Sequence, residues 1–152
     1  MHNLILTADG GSRGNPGPAA IGFAVWKLTE PNLTHLPQEL ETLFQPDSLI
    51  KADGKYIGIT TNNQAEWQAV ILGLNNILEQ NLSPEILFIC LDSELVVKQL
   101  LGIYKVKHPD LKPLHTEAKD LLKKFKTVEI KHIYRRFNTE ADRQVNIVLD
   151  AR

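Results

Sequence analysis

The order of elements along the chain, β-β-β-α-β-α-α-β-α, predicts an α/β fold in which helices pack on a mixed sheet. Three observations carry that prediction. Two apolar runs flank the Gly- and Pro-rich stretch DGGSRGNPGP, as in an antiparallel hairpin. The run EILFICL at 85–91 is almost continuously apolar, which suits a central strand covered on both faces. Several other stretches repeat apolar residues at helical spacing. With 152 residues the chain has length for one domain, taken as 1–152, and not for two comfortable ones.

Taken in order, NLILTA (3–8) is a first strand, stopped by the glycine-rich stretch, which reads as a turn. AIGFAVWKL (20–28) is the second. Residues 29–54 hold three prolines and no clear period. They read as a long surface connection with one helical turn near Gln38–Phe44, inserted in a compact domain. KYIGIT (55–60) is the third strand. Thr61 to Gln64 has the form of a capping box, so a helix should follow to about Gln80. Trp67, Val70, Ile71, Leu74, Ile77 and Leu78 mark its core face. After the strand at 85–91, SELVVKQLLG (93–102) is a short helix closed by glycine. YKVKHPDLKP is a linker, and Leu111, Leu114, Ala118, Leu121, Leu122 and Phe125 mark the next helix. TVEIKHIY (127–134) alternates like a strand, and NTEADRQVNIVLDA (138–151) is a terminal helix.

The composition is that of an ordinary soluble protein: 43% hydrophobic, 23% charged, net charge −1. No apolar stretch approaches the ~18–20 residues of a membrane span. The start, MHNLILTADGG, lacks the basic region of a secretory signal. A cytoplasmic protein with no membrane attachment is expected. Cys90, the single cysteine, lies inside the apolar run and should be a buried, inert thiol. From Lys98 to Arg136 lysine and arginine outnumber acids, so the C-terminal third is basic, read in part as solvated helix faces and in part as phosphate contacts.

Four acids concentrate the chemistry. Asp9 and Asp92 fall at the carboxyl ends of two predicted strands, where open α/β sheets hold their ligands. Glu66 lies in the first turns of its helix, off the core stripe, and Asp142 in the first turns of the last helix. Each also has a structural reading of its own, as a turn residue, an N-cap or a complement to a helix dipole. Those readings leave unexplained why four acids stand at element ends that can meet on one sheet edge. Gathered carboxylates repel strongly unless cations neutralise them. The arrangement therefore points to hard divalent cations and phosphate chemistry.

The phrases around these acids, TADGGSRGNPGPAAIGF, TTNNQAEW, ICLDSELV and NTEADRQVN, resemble those of the type 1 ribonuclease H family, in the family's order. The resemblance covers nearly the whole chain except 29–54. It implies a ribonuclease H-like fold with a five-stranded mixed sheet in the order 3-2-1-4-5. It also implies that Asp9, Glu66, Asp92 and Asp142 are catalytic carboxylates binding two Mg²⁺ ions, with Mn²⁺ as a substitute. The reaction implied is endonucleolytic cleavage of the RNA strand of an RNA–DNA hybrid, leaving 5′-phosphate and 3′-hydroxyl ends. Asn15, Asn62, Asn63 and Gln64 match family positions around the minor groove, where 2′-hydroxyls distinguish RNA from DNA. Asn62 and Asn63 also have a reading as helix caps alone, and capping and binding can coexist. The stretch Gly10–Gly11–Ser12–Arg13–Gly14–Asn15 can bring backbone amides close to nucleic acid. Ser93 is read either as a 2′-hydroxyl contact or as a helix cap.

Two departures from the familiar bacterial pattern stand out. The segment GIYKVKHPDLKP is too brief to hold the basic protrusion of many members, placing the chain with a compact subgroup. Tyr104, Lys105, Lys107 and Lys112 would replace part of its phosphate contacts, with weaker, steeply salt-dependent binding. Many members also carry a mobile-loop histidine, which His132 matches by count although it lies in a predicted strand. IYRRFNTEAD resembles instead a branch with arginine in that loop, with Tyr134 in place of proline, so Arg135 and Arg136 are the other auxiliary candidates. The expected partner is an RNA–DNA hybrid, bound by a monomer with no obligate protein partner. Two alternatives stand beside this reading: a catalytically weak hybrid- or duplex-RNA-binding module, and a DNA nuclease of related fold.

Overall fold

The computed structural model describes residues 3–28, 35–36 and 40–152. Strands β1 (Leu4–Ser12), β2 (Gly17–Lys27), β3 (Leu49–Thr60), β4 (Leu87–Leu91) and β5 (Val128–His132) form one sheet in the order β3-β2-β1-β4-β5. That is the order the resemblance implies. β1 pairs antiparallel with β2, and β2 with β3, whereas β1–β4 and β4–β5 are parallel. Parallel neighbours end on the same side, so β1, β4 and β5 open onto one edge, the usual place for a ligand. Helices α1 (Asn62–Glu79), α2 (Glu94–Leu100), α3 (Lys112–Leu122) and α4 (Thr139–Asp150) complete the fold. No helix among the described residues is long and apolar enough to cross a membrane.

The two faces of β4 explain its continuous apolar run. Leu87, Ile89 and Leu91 pack with Trp67, Val70, Leu74 and Ile77 of α1 on one side. Phe88 and Cys90 pack on the other with Ile5, Trp26 and Ile133, beneath Leu40 and Leu43. Burial pushes the Cys90 thiol up to about 12, so it stays protonated and inert, as expected. The predicted capping box is formed: Thr61 accepts from the Gln64 backbone N–H, and the Gln64 side chain returns to Thr61. α2 and α3 are joined by residues 101–111 without further helix, so the basic protrusion is absent.

Two boundaries differ most from the sequence expectation. β1 does not stop at residue 8 but runs to Ser12, paired residue by residue with β2 back to Ala19. The turn is confined to Arg13–Pro16, so Asp9, Gly10 and Gly11 are strand residues rather than turn residues. β3 begins at Leu49, not Lys55, and takes in residues 49–54 that read as the end of a loop. Asp53–Gly54 looks like turn chemistry, yet Gly54 pairs with Gly22 beneath α4. A register shift opposite Ala19/Ala20 bends β3, with Gly58 at φ +84° taking a conformation that favours glycine. The helical turn near Gln38–Phe44 appears as a 3₁₀ turn at Leu40–Thr42, and residues 37–39 lie outside the described ones.

Glycines set how close the helices come. A Cβ at Gly10 would lie 2.3 Å from the Ala65 carbonyl carbon and 2.5 Å from the Glu66 nitrogen, so α1 rests directly on β1 there. At Gly11 the nearest atom is Val145 Cγ1, at an ordinary 3.7 Å. Gly10→Ala is therefore expected to cost about 3 kcal/mol of stability by forcing α1 off the sheet, and Gly11→Ala less than about 1 kcal/mol. Urea denaturation of both variants checks this ordering.

Candidate active site

Asp9 lies one residue beyond Ala8, whose partner Leu91 ends the β1–β4 pairing. Asp92 follows Leu91, so the parallel register sets the two aspartates side by side where the strands diverge. Glu66 arrives from α1 at the point where that helix touches Gly10. One carboxylate oxygen from each of Asp9, Glu66 and Asp92 lies within 4.8 Å of the others. Asp142 comes from α4, which is seated by a second glycine contact: a Cβ on Gly22 would meet the Ala141 carbonyl oxygen at 2.5 Å. Gly22 is the cross-strand partner of Asp9, so Asp9 and α4 share a face of the sheet. Asp142 is not within the tight trio but lines the same cavity of about 290 Å³ with Asp9 and Glu66.

Electrostatics at this edge are severe. Asp9 is 2% exposed, and its Oδ1 is buried without a hydrogen-bond partner. Burial, and then the charge of Asp92, push its carboxyl from 3.8 up to about 7. Burial also raises Glu66 well above the ordinary range, with Asp9 and Asp92 adding to the effect. Asp92 is raised chiefly by burial, against the opposing pull of an Asn138 hydrogen bond and the Arg135 charge.

Asn138 joins these groups without being conspicuous in the sequence. It stands just before α4, where an asparagine normally caps the helix, but it makes no side-chain cap. Its Nδ2 donates instead to the Ala8 carbonyl at 2.9 Å and to Asp92 Oδ2 at 3.3 Å. It is 1% exposed and ties the ends of β1 and β4 to the start of α4. The only trace in the sequence is its place in the NTEAD phrase, where capping hides the longer-range role.

The other sequence candidates fall into groups. Asn62 Oδ1 accepts from Ser12 N at 2.9 Å and Ser12 Oγ at 3.0 Å, while Asn15 Oδ1 accepts from Asn62 N at 3.0 Å. These bonds lock the β1–β2 turn to the start of α1. Thr61 is the N-cap, so neither Asn62 nor Asn63 fills that role. Asn15, Asn62, Asn63 and Gln64 border a second cavity of about 290 Å³ with His108 and Asp110. Arg13 is paired with Asp150. Ser93 caps α2, accepting from Val96 N at 3.3 Å. His132 ends β5 with Nε2 3.2 Å from the Asp92 carbonyl oxygen, which can only accept, so Nε2 carries the hydrogen. Arg135 lines the acid cavity, whereas Arg136 turns away onto the rings of Tyr134 and Phe137.

A mixed sheet in this order with carboxylates at its open edge defines the ribonuclease H-like class. A family model described as reverse transcriptase-like matches residues 49–148. The chain is 38% identical over 149 residues to the bifunctional protein Rv2228c of Mycobacterium tuberculosis, covering 97% of this chain and 36% of that protein. It is 35% identical over 142 residues to a ribonuclease HI of Halobacterium salinarum, covering 93% of this chain and 62% of that one. It thus spans about a third of the mycobacterial relative and under two thirds of the archaeal one. The crystal structure of RNase H1 from Halobacterium salinarum superposes with a TM-score of 0.81 at 32% identity, covering 99% of both chains. LC11-RNase H1, solved in complex with an RNA/DNA hybrid, gives 0.79 at 32% identity over 97% of both. The chain belongs to the type 1 ribonuclease H family.

The raised carboxyls link stability to pH. An unfolded chain gives up these protons near pH 4, whereas the folded protein keeps them, so between the two values the folded state binds more protons. The stabilisation is complete below the unfolded values and is lost as pH rises through the folded value, about 7 for Asp9. In chelator, Tm from these groups should fall between about pH 4 and 7. Asp9→Asn should flatten that slope and raise Tm by a few degrees at pH 8, as read by calorimetry.

Proposed function

We propose that this chain is a metal-dependent endonuclease that cuts the RNA strand of RNA–DNA hybrids, leaving 5′-phosphate and 3′-hydroxyl ends. The observation that carries the reading is the convergence of Asp9, Glu66 and Asp92, from three separate elements, with ligand oxygens within 4.8 Å of one another. Family membership, and the hybrid bound by LC11-RNase H1, supply the substrate class.

The donor set fits hard divalent ions. All the groups are carboxylate oxygens, the preferred ligands of Mg²⁺ and Mn²⁺. The unpartnered, buried Asp9 oxygen is costly unless a cation meets it. Asp9, Glu66 and Asp92 would hold the ions, two per site, with Asp142 completing the set from the cavity wall. When bound, the ions supply Lewis acidity and charge neutralisation to the reacting phosphodiester and water.

The chain's own residues do the rest. Asn138 fixes the Asp92 carboxylate, and His132 anchors the Asp92 backbone from β5. Arg135, on the wall of the acid cavity, faces a phosphate as it enters. The locked lattice of Ser12, Asn15 and Asn62 presents fixed polar groups beside the acids. Rigid donors and acceptors of this kind can read 2′-hydroxyls in a minor groove. Every group comes from one chain, so the reading needs no partner subunit.

Labelled RNA–DNA hybrid, duplex RNA and duplex DNA, incubated with Mg²⁺ or Mn²⁺, test the proposal: only the hybrid should be cut, in its RNA strand. Binding without cleavage would contradict it, as would cleavage of duplex DNA. Asp9→Asn should abolish cleavage while hybrid binding persists. Asn138→Ala should lower kcat by about 10–100-fold, the usual cost of losing a group that orients a metal ligand. Steady-state kinetics on the same hybrid read that loss.

A further inference from the structure

A row of rings leads away from the acid cluster. It starts at His132, held against the Asp92 carbonyl. The Tyr134 ring stands edge-on to His132 at 6.2 Å between centroids. The Arg136 guanidinium lies over both the Tyr134 ring, at 5.5 Å, and the Phe137 ring, at 4.8 Å. Phe137, Arg136, Phe44 and Thr139 border an open cavity of about 340 Å³. Tyr134 is 66% exposed, and nothing in the carboxylate site uses it, Arg136 or Phe137.

The local backbone explains the split between two neighbouring arginines. Arg135–Phe137 is a 3₁₀ turn, in which successive side chains point about 120° apart. Arg135 reaches the acid cavity and Arg136 the aromatic row. A phosphate backbone leaving the acids would therefore meet one cation in the site and a second at the row.

A lone exposed tyrosine needs no explanation. An exposed ring sharing a guanidinium with a second ring is different, because nucleic-acid proteins stack bases on such surfaces. Paired bases already cover each other's faces inside a duplex. The row suits a base with a free face.

Resting on the hybrid-nuclease reading, we propose that Tyr134, Arg136 and Phe137 form a stacking platform for an unpaired nucleobase, where the RNA strand runs out of the hybrid beside the active centre. The substrates favoured are hybrids whose RNA continues as a single strand.

The test compares a blunt hybrid with hybrids whose RNA strand extends by a few unpaired residues at the 5′ or the 3′ end. Affinity is read by fluorescence anisotropy in the Asp9→Asn background, and a fluorescent purine analogue in the overhang reports stacking by quenching. One overhang polarity should bind about tenfold more tightly than the blunt hybrid and be quenched, as expected for one stacked base. Tyr134→Ala should cut that advantage to within about twofold, and Tyr134→Phe should keep it. No advantage at either end, or one unchanged in Tyr134→Ala, overturns the platform while leaving the hybrid-nuclease reading intact. Failure of the wild-type protein to cleave the blunt hybrid overturns that reading and the platform with it.

Discussion

Three carboxyl groups, each with an oxygen within 4.8 Å of the others at a sheet edge, oppose the fold that holds them. Holding the Asp9 carboxyl at about 7 rather than 3.8 corresponds to roughly 4 kcal/mol against its ionised form. A whole domain is stable by only about 5–15 kcal/mol. The cluster exists because rigid surroundings leave these groups nowhere else to go, and positive charge entering it would relieve their repulsion. On the hybrid-nuclease reading, preorganisation of this sort serves phosphodiester chemistry, since groups already held in place need not reorganise as charge develops.

Rigidity comes from close packing at a few backbone positions more than from the number of contacts. Gly10 lets α1 settle onto β1 and bring Glu66 to the acids. Gly22 and Gly54, paired across β2 and β3, let α4 do the same for Asp142. Parallel pairing of β1 with β4 fixes the spacing of Asp9 and Asp92, and Asn138 closes the corner between both strands and α4. Polar groups around the turn are tied together in the same way, through Ser12, Asn15 and Asn62. The site is therefore coupled to the sheet, and a change at a glycine some distance from the acids reaches them through a helix.

Local chemistry made much of this legible in the sequence. The helix after Thr61 announced itself by its capping box and apolar stripe, and β4 by its unbroken apolar run. The acids were conspicuous because their phrases recur in a known family, and the structure brings Asp9, Glu66 and Asp92 together. What was hidden depended on partners distant in sequence. Gly10 and Gly11 look like a turn, and only the backbone of α1 explains why a glycine sits in the strand at position 10. Asp53–Gly54 looks like a loop for the same reason, with α4 as the unseen neighbour. Asn138 resembles a helix cap until its bonds to Ala8 and Asp92 are seen. Arg135 and Arg136 are equivalent in sequence, and a 3₁₀ turn separates them.

The charge state of Asp9 is the most direct measure of whether the cluster is held as described. A carbon-13 NMR titration of its side-chain carboxyl, run in chelator and again with Mg²⁺, reports that state at a single atom. The structure predicts a midpoint near neutrality, about 7, in chelator, and the proposed cation site a clear downward move when Mg²⁺ is present. A midpoint close to that of a free aspartate, about 4, unchanged by Mg²⁺, would contradict a buried carboxylate cluster built to receive cations.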